Sequence, residues 1–179
     1  MKKLFITAAF LFSVLATFSQ RILTPTDEGS KVHFVIKNFG IKTGGDFSGL
    51  KGTMKFDPKN LSVWSFDVTV ESSTIDTDNG TRDGHLKKSE YFDAAKYPTI
   101  RMVSTKLVPG DKPGWYIFNG NLTIKDVTKP IKFPFKVNTS KDGYIFTGEF
   151  DMNRRDFNVG GSSVSMADNL KVSLSIFAK

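Results

Sequence analysis

The chain has no cysteine among its 179 residues. No disulfide can brace it, so its fold must be held by its core alone. No cysteine follows the apolar run at its N-terminus, which excludes a lipoprotein anchor. Histidine is almost as scarce, with only His33 and His85. A G-x-S-x-G nucleophile turn is missing, and so is a glycine-rich phosphate loop followed by Lys-Ser/Thr. Asp76, Asp78, Asp83, His85, Glu90 and Asp93 are the acidic and imidazole groups a metal would have to draw on. A calcium loop starting at Asp76 needs glycine at its sixth position, and that position is Thr81. Neither a metal nor a catalytic cofactor is expected from these spacings.

What is present begins with a leader pattern. Lys2 and Lys3 precede a run, Leu4 to Ala16, that is apolar apart from Thr7 and Ser13. Thr17 and Ser19 are small residues at the −3 and −1 positions of a cut between Ser19 and Gln20. This predicts a signal peptide over residues 1–19 and a periplasmic or secreted protein; the run is too short for a membrane span. Removing nineteen of 179 residues leaves 160, enough for one domain over 20–179 with its own core. The formal charge of +7 falls to +5 once Lys2 and Lys3 leave. The remaining lysines are scattered over polar strand faces, a solvated surface rather than a nucleic-acid footprint.

Period-2 alternation dominates the rest. It runs through Lys31–Asn38, Thr53–Phe56, Val63–Glu71, Thr99–Lys106, Trp115–Ile124, Ile131–Val137, Tyr144–Met152 and Leu170–Ala178. The glycines after Asn38 read as a bend. Pro134 predicts an edge or an irregularity in its strand, and Asp142-Gly143 a hairpin turn. With no βαβ rhythm, the strands form an antiparallel sheet that must sandwich or close. Gly120 and Gly148 lie on apolar faces and favour closure into a barrel of about eight strands. One stretch breaks the pattern, Ser72 to Arg101. Thr81 or Asp83 is placed to cap a short helix near 84–95, and Tyr97-Pro98 ends the segment.

Nine phenylalanines share the inward parity, among them Phe34, Phe47, Phe56 and Phe146. A barrel of this size either fills itself or holds one small ligand, and parity does not distinguish these. Arg154 continues the inward parity of Phe146, Phe150 and Met152. A buried guanidinium needs a partner, either an internal carboxylate such as Asp83 or Asp156 or a ligand head group at a cavity mouth.

The runs SKVHFVIKNFGIKTGGDFSGLKGTMKFD, SSTIDTDNGTRDGHLKKSEYFDAAKYPTI, GNLTIKDVTKP and FDMNRRDFNV carry a resemblance to the YceI-like family. Its most specific part is the Thr-x-Asn-x-x-Arg-Asp-x-His-Leu run from Thr77 to Leu86, then Tyr91-Phe92-Asp93 before Tyr97-Pro98. The resemblance implies a lipocalin-like barrel, not an enzyme, whose elongated cavity takes an isoprenoid lipid such as an isoprenoid quinone or polyprenyl phosphate. Many relatives end the first strand with Lys-His where this chain has Lys37-Asn38. On this reading the tail would lie along Val32, Phe34, Ile36, Phe66, Val68, Ile100, Met102, Phe118, Leu122, Phe133, Phe135, Phe150, Leu174 and Ile176. Arg82, Asp83, His85 and Arg154 would meet the head group or latch the helix. The expected partner is that lipid, with no nucleic acid and no stable membrane insertion; a monomer and a dimer are both compatible with the sequence. Two other readings stay open: a hydrolase or isomerase using His85 and Asp83, and a filled barrel acting through its surface as an interaction or stress-related module.

Overall fold

The structure, a computed structural model, describes residues 21–179; the leader expected over 1–19 lies outside the described residues. Ten strands make one antiparallel sheet: β1 (Arg21–Leu23), β2 (Pro25–Asn38), β3 (Ile41–Phe47), β4 (Lys51–Phe56), β5 (Ser65–Glu71), β6 (Thr99–Pro109), β7 (Trp115–Ile124), β8 (Val127–Thr139), β9 (Tyr144–Asn153) and β10 (Met166–Ala178). Their order in the sheet is β1-β4-β5-β6-β7-β8-β9-β10-β2-β3. All eight expected strands are present. The two additions are β1, cut from β2 by a bend at Thr24, and β3, which fills the glycine-rich stretch expected to be a bend.

The sheet curls because its first strand serves two neighbours. β1 pairs with β4 while β2 pairs with β10. Thr24, at the bend, exchanges backbone hydrogen bonds with Lys179 at 2.8 and 3.2 Å. Closure at this end brings together Phe56, Trp64, Phe66, Tyr116, Phe135, Tyr144 and Phe146. Their ring centroids lie 4.3–6.5 Å apart in tilted, stacked and edge-on pairs, the arrangements that aromatic quadrupoles favour. This aromatic end is solid.

At the opposite end, Ser72–Pro98 covers the barrel. Ser72 ties the ends of this insert together: its N–H donates to Pro98 O at 2.9 Å and its hydroxyl to Tyr97 O. The helix, α1 (Gly80–Leu86), starts earlier and is shorter than the expected 84–95. Asn79 caps it, rather than Thr81 or Asp83, by accepting from the Arg82 N–H. Lys87–Lys96 continue as turns.

Pro134 marks the point where β8 leaves β9. The β8–β9 ladder covers only Phe135–Thr139 against Gly148–Tyr144, so the first half of β8 pairs with β7 alone. The 3-10 turn Arg154–Phe157 packs into this gap, with Phe157 buried. Gly120 and Gly148 serve less as kinks than as seats for rings. A Cβ at Gly148 would meet the Phe133 ring at 2.9 Å, and one at Gly120 would collide with Val103 O and the Phe118 ring. The bulge near Gly120 belongs to β6, where the register slips between Ser104 and Lys106.

Gly120→Ala should therefore cost about 2 kcal/mol through overpacking, read as a lowered urea midpoint. Between β5 and β6, Arg101 donates to both Asp67 carboxylate oxygens at 2.8 and 2.6 Å. These hydrogen bonds hold the Asp67 carboxyl below the usual carboxylate range, against an opposing push from partial burial. A depressed carboxylate adds stability above its unfolded pKa and loses it as pH falls through the folded one. Asp67→Asn should therefore melt lower than the parent at neutral pH and converge with it in acid, in melts recorded across that range.

Candidate functional site

Above the aromatic end the barrel is hollow. A cavity of about 190 Å³ runs between the sheet and the insert. Seven of the ten strands line it, and on four of them the inward positions here are aliphatic rather than aromatic: Val68 and Val70 on β5, Ile100 and Met102 on β6, Leu122 and Ile124 on β7, Leu170 to Ile176 on β10. The β10 stretch alone covers roughly 20 Å at about 3.3 Å per residue. Phe150 faces the cavity and is backed by Phe133 and then Phe118, in a stack with both centroid separations at 4.9 Å. Overhead, Phe34, Phe47 and Phe92 form an aromatic row at 5.8 and 5.4 Å. No carboxylate lines the cavity among the described residues; its polar lining includes Asn38, Thr43, Thr77, Arg82, Arg101 and Arg154.

Ten of the fourteen expected lining residues are here: Val32, Phe34, Ile36, Val68, Ile100, Met102, Leu122, Phe150, Leu174 and Ile176. Phe66, Phe118, Phe133 and Phe135 are not. They are buried in the solid half, deeper along the same inward faces. The insert adds lining outside the strand alternation, from Leu86, Tyr91 and Phe92, and Phe47 of β3, one of the inward phenylalanines, joins it. The break in alternation, with Leu86, Tyr91 and Phe92 at mixed spacing inside it, was the available signal for the insert's share.

Arg154 is only 3% exposed, and its guanidinium is fully engaged by the protein. Its Nε donates to Ala167 O at 3.0 Å. One terminal nitrogen donates to Val159 O and Gly161 O, both at 2.9 Å, and the other to Asp168 Oδ1 at 2.7 Å, with Met166 O at 3.5 Å. Its carboxylate partner is thus Asp168, not Asp83 or Asp156. Five N–H groups meet five acceptors, which leaves none for a head group. Arg154 instead shapes the loop 158–166, of which Val159 and Met166 line the cavity.

Asp83 and His85 also depart from the expected arrangement. Asp83 is buried and accepts from the Thr77 N–H at 3.0 Å and the Thr77 hydroxyl at 2.5 Å. Arg82 donates from Nε to Thr77 Oγ1 at 2.7 Å and from a terminal nitrogen to Thr77 O at 2.5 Å. This is a latch, but it closes the insert on itself. Arg82 reaches the cavity with donors to spare, and it is the cation best placed for a head group. His85 is exposed and does not line the cavity, and two residues apart on a helix it cannot face Asp83. The histidine–carboxylate pair that does form among the described residues is His33 Nδ1 with Asp46 Oδ1 at 2.6 Å, across β2 and β3, and His33 also borders the cavity.

The insert is fastened at its edges. Asp46 and Asp76 exchange backbone hydrogen bonds at 2.8 and 3.0 Å, Gly160 N donates to Glu90 O at 2.9 Å, and Lys125 Nζ reaches Ser89 O and Asn158 O.

Comparison with known proteins places this architecture. The sequence model of the YceI-like domain matches residues 24–178. A UPF0312 protein of Pectobacterium atrosepticum is 34% identical over 136 residues, covering 72% of this chain and 69% of its own. Protein YceI of Salmonella arizonae is 32% identical with 72% and 70% covered. Among solved structures, BcnA of Burkholderia cenocepacia superposes with a TM-score of 0.79 at 26% identity, covering 85% of this chain and 98% of its own. A polyisoprenoid-binding domain from Saccharophagus degradans, implicated in plant cell wall breakdown, shares the fold at a TM-score of 0.69 and 14% identity, with 90% and 99% covered.

Removing the Arg154 guanidinium would leave four carbonyls, those of Val159, Met166 and Ala167 buried or half-buried, and Asp168 without their donor. Arg154→Met should cost about 3 kcal/mol or more. Arg154→Lys should recover little, because an ammonium has three donors and no fork. Chemical unfolding of the two variants beside the parent measures both.

Proposed function

The chain belongs to the YceI-like family, and from that membership and the cavity we propose that it binds one isoprenoid lipid, tail inward, as an exported carrier or sequestering protein. The observation that carries the reading is the hollow half-barrel: a cavity lined by aliphatic and aromatic side chains with no carboxylate among the described residues. Each methylene buried there is worth roughly 0.8 kcal/mol, so a tail of several isoprene units binds without a strong polar anchor. Branched, kinked isoprenoid chains suit walls built of Val, Ile, Leu and Met, whose methyl groups leave an uneven surface. The polar end would meet Asn38, Thr43 and Arg82 near the mouth, a set that suits a quinone carbonyl or a phosphate oxygen and holds no opposing negative charge.

Binding rather than turnover fits the same geometry. His85 stands in solvent, Asp83 is committed to Thr77, and the two do not form an acid–base pair. Export to the periplasm or beyond is supported by the basic, apolar and small-residue pattern of residues 1–19.

Native mass spectrometry of protein purified from its own host should show a bound species whose mass fits an isoprenoid lipid. Leu174→Trp, which pushes an indole into the cavity, should weaken binding of added polyprenyl compounds by about tenfold or more. Phe135→Leu, in the solid half, should weaken it far less. No co-purified lipid together with no binding of added polyprenyl compounds would sink the proposal.

A further inference from the structure

The hairpin joining β2 to β3 carries an apolar tip that the barrel does not use. Phe39 is 78% exposed and Ile41 71%. Val164, on the facing loop, is fully exposed, and the Phe39 N–H donates to Ser165 O at 2.7 Å, which holds hairpin and loop side by side. Large apolar side chains standing singly in water are common, but three gathered on two adjoining tips form a patch.

The backbone makes this patch more telling. Phe39 and Gly40 have φ of 49° and 75°, as a two-residue hairpin turn with both centres left-handed demands. Asparagine, aspartate or glycine suits the first of these positions, whereas a bulky aromatic residue there is strained. The ring gains no burial in return. A strained backbone kept at a functionless site is unexpected, so the outlier points to a use for the ring outside the molecule.

Charge identifies the partner. Lys37 and Lys42 sit directly opposite each other in the β2–β3 register, both exposed, two residues from the tip. Like charges opposed across a ladder repel. Neither forms an ion pair among the described residues, and nearby Asp168 is taken by Arg154 and Arg155. An anionic surface would relieve that repulsion. Continuity identifies the use. Asn38, opposite Ile41, and Met166, paired with Asn38, both line the cavity, so the patch adjoins its lining.

The geometry points to a membrane-docking surface: Phe39, Ile41 and Val164 enter the headgroup region of an anionic bilayer, Lys37 and Lys42 engage its phosphates, and the cavity mouth is presented to the lipid phase. Docking of this kind is peripheral; no described helix is long and apolar enough to cross a membrane. The purpose assigned to docking rests on the lipid-binding reading, but docking itself is measured without any isoprenoid.

The test is sedimentation with vesicles of dioleoylphosphatidylglycerol and dioleoylphosphatidylcholine, using the chain as the cell releases it, its N-terminus defined by mass spectrometry. Binding is expected on phosphatidylglycerol vesicles and about tenfold weaker on pure phosphatidylcholine. Phe39→Asn should lower vesicle affinity about tenfold while leaving the melting temperature equal or higher, because asparagine suits the turn. Lys37→Glu with Lys42→Glu should abolish the preference for phosphatidylglycerol. Equal binding of parent and variants, no binding at all, or a tip that proves to be the contact of a self-associated dimer would each overturn docking. Absence of an isoprenoid in native mass spectra, with vesicle binding intact, would overturn only the lipid-carrier reading.

Discussion

The two edge strands of this sheet, β1 and β3, never pair with each other, and much of the molecule follows from that seam. At one end a bent first strand bridges it, handing its hydrogen bonds from β4 to β10 at Thr24. At the other end no strand is available. The insert takes its place, with Asp76 extending the β3 edge through Asp46 and with Ser48 tied to both Glu71 and Thr74. A sheet edge covered this way is protected from pairing with other chains. The same insert closes over the cavity, which it lines with Leu86, Tyr91 and Phe92.

Two further irregularities interrupt the sheet. Pro134 separates β8 from β9, and the gap is filled by a turn rather than by a ladder. Arg154 sits at the start of that turn and gathers the carbonyls of Val159, Gly161, Met166 and Ala167 around one cation. A guanidinium is suited to such a role because it stays charged and directs its donors in a plane. The loop it organises has few apolar side chains of its own to hold it. A charge that reads in sequence as a ligand contact is, in space, the frame of the doorway.

Alternation made the strands legible, since each has one wet and one dry face. It could not separate Phe66, Phe118, Phe133 and Phe135 from the lining residues, because parity tells which face a side chain takes and not how deep along the barrel it lies. β3 was hidden by Gly44 and Gly45, poor strand formers that β2 holds in register through the backbone. The helix start was misplaced because Asn79, Thr81 and Asp83 are all good caps, and only the chain's path chooses between them. Asp168 was unforeseeable as the partner of Arg154: fourteen residues and a loop separate them, and a count of donors used needs coordinates. The insert's contribution to the cavity was legible as a break in period, and its apolar residues do face inward.

The ring stack of Phe150 on Phe133 on Phe118 gives the cavity one rigid side among otherwise flexible aliphatic walls. Rings packed face to face cannot turn independently, so that side keeps its outline. The Val, Ile, Leu and Met walls opposite can change rotamer instead. The space between them is a mould with one fixed face and several that yield.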